Sequence, residues 1–222
     1  MNLTLFDLDG TLIEKDSDHA FGEWLVALGW ARADVFAARN DEFYRQYQRG
    51  ELDVHAYVDF ATAPWRDRPA SEFQEAMARF MATVMRPQLR SSAIELVAAH
   101  RRAGDLVAIV TSTNEAVTRP LADAFGVGHL LATRLERDVL GRVTGRIHGV
   151  PTFQHGKVLR VQQWLASLDH AAGDFEHIWC YSDSPNDLPL MEWSSRPVAT
   201  NPNAALAEAA RQRGWPILRL FT

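Results

Sequence analysis

The sequence predicts an α/β protein in which helices cover both faces of a mostly parallel sheet, with a helical block inserted near its start. Three observations carry that expectation. From Pro87 onward, short continuous apolar runs alternate with helix-period segments, the rhythm of strands buried on both faces and joined by helical crossovers. Residues 14–85 carry helical spacing and no clear strand pattern. The strand-like runs stop on polar residues, as expected of an open parallel sheet that binds ligands at its carboxyl edge.

In chain order, the first strand is expected at 2–8, where "LTLF" is apolar and "DLDG" breaks it. Within the inserted block, Phe21, Leu25 and Leu28, and later Phe73, Met77, Phe80, Met81 and Val84, recur at the steps of one helix face. After Pro87 a helix over 89–103 ends at Gly104, a residue suited to the left-handed turn that closes helices, and "DLVAIVT" follows as a strand. "HLLATRL" continues the pattern, and residues 135–149, with glycines at 141, 145 and 149, read as a hairpin. Then come a helix over 156–168, the strand "HIWCYS", a short helix from Asn186, the strand "RPVAT", a helix over 203–213 and the strand "WPILRL". The expected division is a Rossmann-like three-layer core of residues 1–13 and 86–222 and an inserted helical domain of residues 14–85.

With 47% hydrophobic and 23% charged residues, the composition is that of an ordinary globular protein, and no stretch approaches the roughly 18 apolar residues of a membrane span. The N-terminus lacks the pattern of an export signal, and the single cysteine, Cys180, lies in an apolar stretch where burial is its expected state. Both points favour a cytoplasmic protein with no membrane partner. A net charge of -5 without a basic cluster makes nucleic acid a poor partner.

Two carboxylates, Asp7 and Asp9, stand one residue apart where the first strand ends, and Gly10 lets the chain turn away. Unshielded, so close a pair would raise one another's pKa, so a cation or a shared proton must accompany it. Asp183 and Asp187 add a third and a fourth acid near another strand end, which points to a hard, oxygen-ligated divalent cation. Mg²⁺ suits a site with few carboxylates and an incoming phosphate. Thr111 and Ser112 stop a third strand, and Lys157 at a helix start offers a positive charge. Parallel strands would bring all of these groups to one edge. The eight histidines, His19, His55 and His155 among them, show no metal spacing, and Trp24, Phe36, Phe43 and Tyr47 are expected in the core of the helical block.

"DLDGT", "VAIVT", the lone Lys157 and "SDSPND" resemble, in order and in spacing, the four motifs of the haloacid dehalogenase superfamily. The likeness is greatest to the branch that includes phosphoserine phosphatase, and the insertion falls where that family places a helical cap. The resemblance implies a phosphatase acting on a small phosphorylated metabolite through an aspartyl-phosphate intermediate, with Asp7 as nucleophile and Asp9 as acid and then base. It implies Mg²⁺ held by the Asp7 side chain, the Asp9 main-chain carbonyl and Asp183, with Asp187 orienting a bound water. The Thr111 hydroxyl, the Ser112 N–H and Lys157 would bind phosphoryl oxygens, while Thr11 and Asn186 position these groups.

The sequence departs from the phosphoserine enzymes in its specificity elements. Asp16 stands where they carry a glutamate for the substrate ammonium, so an amine on the substrate is expected. Their cap arginine, which clamps the substrate carboxylate, has no counterpart between Arg49 and Arg66; Asp59 and Ala61 lie where it should be. "STN", Ser112 to Asn114, replaces a glycine pair of the second motif, and Ser182 replaces another glycine with no role assigned to it. The expected substrate is a phosphate monoester with an amine and no carboxylate, such as histidinol phosphate. The alternatives are phosphoserine itself, or transfer of the phosphoryl group to a sugar by a phosphotransferase or mutase.

Overall fold

A computed structural model of the chain describes residues 1–221. Among them the strands are β1 (Leu3–Phe6), β2 (Leu106–Asn114), β3 (His129–Thr133), β4 (Leu135–Arg137), β5 (Val143–Ile147), β6 (Ile178–Ser182), β7 (Arg196–Thr200) and β8 (Ile217–Leu218). Six of these form one sheet in the order β3-β2-β1-β6-β7-β8 with every neighbouring pair parallel, and β4 pairs antiparallel with β5 as the expected hairpin. The chain leaves β1 for β2 and β3 on one side, then crosses to β6 on the other. The switch of direction therefore lies beside β1, where such sheets form their ligand crevice.

Strand alternation divides the core into two layers. Leu3, Leu5, Ala108 and Val110 face one side, where they pack with Val161 and Leu165 of α7 (His155–Ala166) and Leu206 and Ala210 of α9 (Ala204–Arg213). Phe6, Val107 and Ile109 face the other, toward Ala93 and Val97 of α5 (Ser91–Arg102) and Val117 and Leu121 of α6 (Glu115–Ala124). Cys180 is buried in β6, as expected. Helix α6 is absent from the sequence expectation, because Pro120 interrupts its pattern. Its start is nevertheless firmly capped, since the Asn114 side chain accepts from Ala116 N (3.1 Å) and Val117 N (3.3 Å).

Between β1 and β2 lie α1 (Ser17–Ala27), α2 (Ala33–Arg49), α3 (Val54–Thr62) and α4 (Ala70–Phe80). A π turn over Met81–Met85 and a 3₁₀ turn over Arg86–Gln88 then lead into α5. Asp16 caps α1 and Asp53 caps α3, each accepting from backbone N–H groups of the first turn. Helices α1 and α2 approach closely where Gly22 faces the Asn40 amide, which donates to His19 O at 3.0 Å. The β4–β5 hairpin packs against α3, with Gly145 beside the Asp59–Arg66 ion pair. Among the described residues no helix is long and apolar enough to cross a membrane.

Candidate active site

β1 is shorter than the sequence suggests and stops at Phe6, so Asp7 is the first residue beyond it, its N–H still reaching Tyr181 O of β6 at 2.9 Å. The chain then turns at Gly10, whose φ of 76° lies in the left-handed region. A Cβ at Gly10 would also collide with the Asp183 carboxylate, so the turn needs glycine on both counts. The turn places the Thr11 hydroxyl 3.1 Å from Asp7 Oδ2 and 3.2 Å from Asp183 Oδ1.

Lys157 occupies the first turn of α7 and is fully buried, its Nζ donating to Asp7 Oδ1 (2.8 Å) and Asp187 Oδ2 (2.7 Å). Burial alone would push its pKa down, but the Asp187 and Asp7 carboxylates beside it hold it above that of a free lysine. Asp187 is pushed up to about 6, burial outweighing Lys157. Ser182, unassigned by the sequence, donates its hydroxyl to Asp187 Oδ2 at 2.8 Å. Asp7 and Asp183 are also raised, first by burial; Lys157 opposes this for Asp7, and the Asp7 charge adds to it for Asp183.

Asp9 points to the other side of the turn. Its Oδ1 accepts from Ser17 N at 2.7 Å and its Oδ2 from the Thr113 hydroxyl at 2.9 Å, while burial and then the Asp16 charge push its pKa up to about 7. At the end of β2, the Thr111 hydroxyl accepts from Thr113 N (3.2 Å), and the Ser112 carbonyl accepts from the Thr133 hydroxyl (2.8 Å). Asn186 lies in the same loop as Asp183 and Asp187, yet its amide donates to Tyr47 O of α2 at 2.9 Å. Gln154 reinforces that link by donating to Gly50 O at 3.2 Å. The structure thus brings Asp7, Thr11, Lys157, Asp183 and Asp187 into one network, with Asp9 bonded to Ser17 and Thr113 beside it, and turns the Asn186 side chain toward the helical layer.

These residues fit a divalent cation by two observations. The buried Asp7 and the half-buried Asp183 carboxylates share one neutral hydroxyl donor, and among the described residues Asp183 has no cationic partner. Asp187 Oδ1 is buried with no hydrogen-bond partner in the protein, an acceptor suited to a water on the ion. Among the described residues no group of three or more His, Cys, Asp or Glu side chains could hold a metal by itself.

Above Asp7 and Asp9 an inner cavity is walled by Asp16, Asp18, His19 and Asn40, by Phe43, Tyr44, Tyr47 and Tyr57, and by Thr111, Ser112 and Thr113. An outer pocket shares Asp9, Asp16, Tyr44 and Tyr47 with it and reaches Asp183 and Phe221. Asp16, expected to meet the substrate, lines both pockets. Phe43 is buried in the helical block as expected and also lines the cavity, while Tyr47 is only half-buried and lines it with His19. Asp18 and Tyr57 are residues the sequence reading does not single out; Asp18 is buried, and its Oδ1 accepts from the Asn114 amide at 3.3 Å. Helical phase offers a signal only for α2, where Phe43, Tyr44 and Tyr47 share one face; Asp18, two residues past the cap Asp16, and Tyr57 have none.

A family model described as haloacid dehalogenase-like hydrolase matches residues 4–192. A histidinol-phosphatase from Neisseria meningitidis serogroup C (strain 8013) is 41% identical over 217 residues, covering 98% of each chain. A Bordetella pertussis Tohama I protein described as of unknown function has a crystal structure that superposes with a TM-score of 0.93 at 45% identity, covering 99% of both chains. A substrate-bound phosphoserine phosphatase superposes with a TM-score of 0.69 at 16% identity over 98% of this chain and 92% of its own, a likeness of fold.

Proposed function

The chain belongs to the haloacid dehalogenase-like hydrolase family and is a phosphatase, and from that premise we propose that its substrate is a small phosphate monoester bearing an amine and no carboxylate, histidinol phosphate foremost. One observation carries the proposal: the walls of the inner cavity hold Asp16 and Asp18 together with His19 and aromatic rings, and among the described residues no lysine or arginine lines it. Such a wall attracts a cation and repels a carboxylate. The arginines nearest in sequence to the missing clamp are engaged elsewhere, Arg49 with Glu42 and Glu51, and Arg66 with Asp59. The relative from Neisseria, named for histidinol phosphate, supports the same reading.

In the proposed reaction a carboxylate oxygen of Asp7 attacks phosphorus while the ester P–O bond breaks. Lys157, fixed between Asp7 and Asp187, favours the ionised form of Asp7 against the effect of burial and balances charge on the phosphoryl oxygens. Asp9, with a pKa near 7, hands its proton to the leaving alkoxide. Water then attacks the aspartyl phosphate, Asp9 takes a proton from it, and phosphate departs as the Asp7 carboxylate is restored. The side chains of Asp7 and Asp183 with the Asp9 carbonyl would hold Mg²⁺, which would supply positive charge against the phosphate dianion. Residues 14–85 act in this scheme as the cap that excludes bulk water and selects the leaving group.

The test is phosphate release from a panel of monoesters with and without Mg²⁺. Release should require Mg²⁺, disappear in Asp7→Asn, and show a higher kcat/KM for histidinol phosphate than for phosphoserine. Phosphoserine turned over equally well would defeat the carboxylate-free assignment.

A further inference from the structure

We propose that Asn201 is a positioning residue for the catalytic turn, coupling the segment 218–221 to the residues that set Asp7 and Asp183. The assignment rests on the roles given to those two aspartates above. Asn201 directly follows β7 and adopts φ 46°, a left-handed conformation in which asparagine is among the few tolerated side chains. Every hydrogen-bonding position of its amide is used. Nδ2 donates to Gly10 O at 3.2 Å and to Thr11 O at 3.1 Å, and Oδ1 accepts from Leu220 N at 2.6 Å and Phe221 N at 3.3 Å. Its own N–H donates to Leu218 O at 2.7 Å.

The turn has little else to hold it from that side. The N–H groups of Thr11, Leu12 and Ile13 all converge on Leu8 O, which fixes the inside of the turn and leaves the outward carbonyls of Gly10 and Thr11 to Asn201. Thr11 is the residue whose hydroxyl touches both Asp7 and Asp183, so its orientation is transmitted to both carboxylates. An amide is needed here, because it alone among small side chains offers two donors to the carbonyls and an acceptor to the segment. Aspartate would set a carboxylate against two carbonyl oxygens, and glycine would keep the backbone while losing the bridge. The same segment brings Phe221 to the wall of the outer pocket, beside Asp183.

The experiment compares the full-length protein with Asn201→Gly, which preserves the left-handed backbone, and with Leu220→Pro, which removes the shortest N–H donor and leaves Asn201 in place. Both should fall in kcat by about 10- to 100-fold, the usual cost of removing a partner that orients a metal ligand, with KM for the monoester little changed. The Mg²⁺ dissociation constant read by calorimetry should rise in parallel. Backbone hydrogen exchange over residues 8–13, read without substrate or metal, should become faster. That last readout tests the bridge whatever monoester the enzyme uses, so its failure is distinct from failure of the substrate assignment. A lowered melting temperature accompanied by unchanged exchange at 8–13 and unchanged Mg²⁺ affinity would reduce Asn201 to a structural cap and overturn the proposal.

Discussion

Asp9 is held by two donors and governed by one acid. Ser17 N and the Thr113 hydroxyl favour its ionised form, while burial and the Asp16 charge oppose it and leave its pKa near 7. Asp16→Asn removes that charge but keeps a side chain able to cap α1. The Asp9 pKa should then fall, and with it the fraction able to donate a proton at neutral pH. The alkaline limb of kcat/KM against pH should therefore move to lower pH in the variant; an unmoved limb would break the link between the two acids. Much at this scale is legible in the sequence. Asp7, Thr11, Lys157, Asp183 and Asp187 announce themselves because each sits in a short stretch whose chemistry is odd for its position. Thr113 and Asp18 do not, since the bonds that give them meaning cross 104 residues to Asp9 and 96 residues to Asn114, and neither stretch encodes its partner.

Among the elements, β1, α5 and β2 are joined by a polar cluster away from the site. Asp105 accepts from the Asn2 amide (3.0 Å) and the Thr4 hydroxyl (3.2 Å) and pairs with His100 Nδ1 (2.7 Å), while His100 Nε2 meets the Tyr181 hydroxyl at 2.8 Å. Burial would push the Asp105 carboxyl up, but these bonds together outweigh it and hold its pKa below the usual range. A carboxyl with a depressed native pKa adds stability above its unfolded value and loses it as pH falls. Asp105→Asn should accordingly cost about 1–3 kcal/mol near neutral pH. The gap between the two denaturation midpoints should close below roughly pH 4, and a constant gap would contradict the ionic reading. The sequence predicts most of these elements because strands and helices differ in period. It misses α6, where Pro120 hides a helix whose cap at Asn114 was the available signal, and it overextends β1 into the aspartates, because local pattern cannot show where Gly10 takes the chain out of the ladder.

For the molecule as a whole, the unusual quantity is buried negative charge. Asp7, Asp9, Asp16, Asp18, Asp183 and Asp187 all have raised pKa values with burial as the largest cause, Asp9 to about 7 and Asp187 to about 6. The native state then binds more protons than the unfolded chain across the window from the ordinary carboxyl value to these raised ones, and stability declines as pH rises through it. The metal-free protein should melt at a lower temperature at roughly pH 7.5 than at roughly pH 5.5, and Mg²⁺ should raise the melting temperature most at the higher pH. A melting temperature that climbs over this range without metal would refute the account. The convergence of Asp7, Asp9, Asp183 and Asp187 on one sheet edge is foreseeable from strand ends alone, whereas Asp16, Asp18 and the cavity they line are placed by α1, α2 and α3, whose mutual packing no local pattern specifies. The strand order has a further consequence, in time. β1 is synthesised before both strands that flank it, its register being completed by Leu106 to Ile109 on one side and by Ile178 to Tyr181 on the other. The strand that leads to Asp7 therefore waits for a second neighbour that lies far along the chain, and pairing of such long sequence separation is slow to form. A nascent chain that has not yet exposed β6 therefore carries Asp7, Asp9, Thr111 and Lys157 but lacks Asp183 and Asp187, so the polar network at the sheet edge cannot close until that strand arrives.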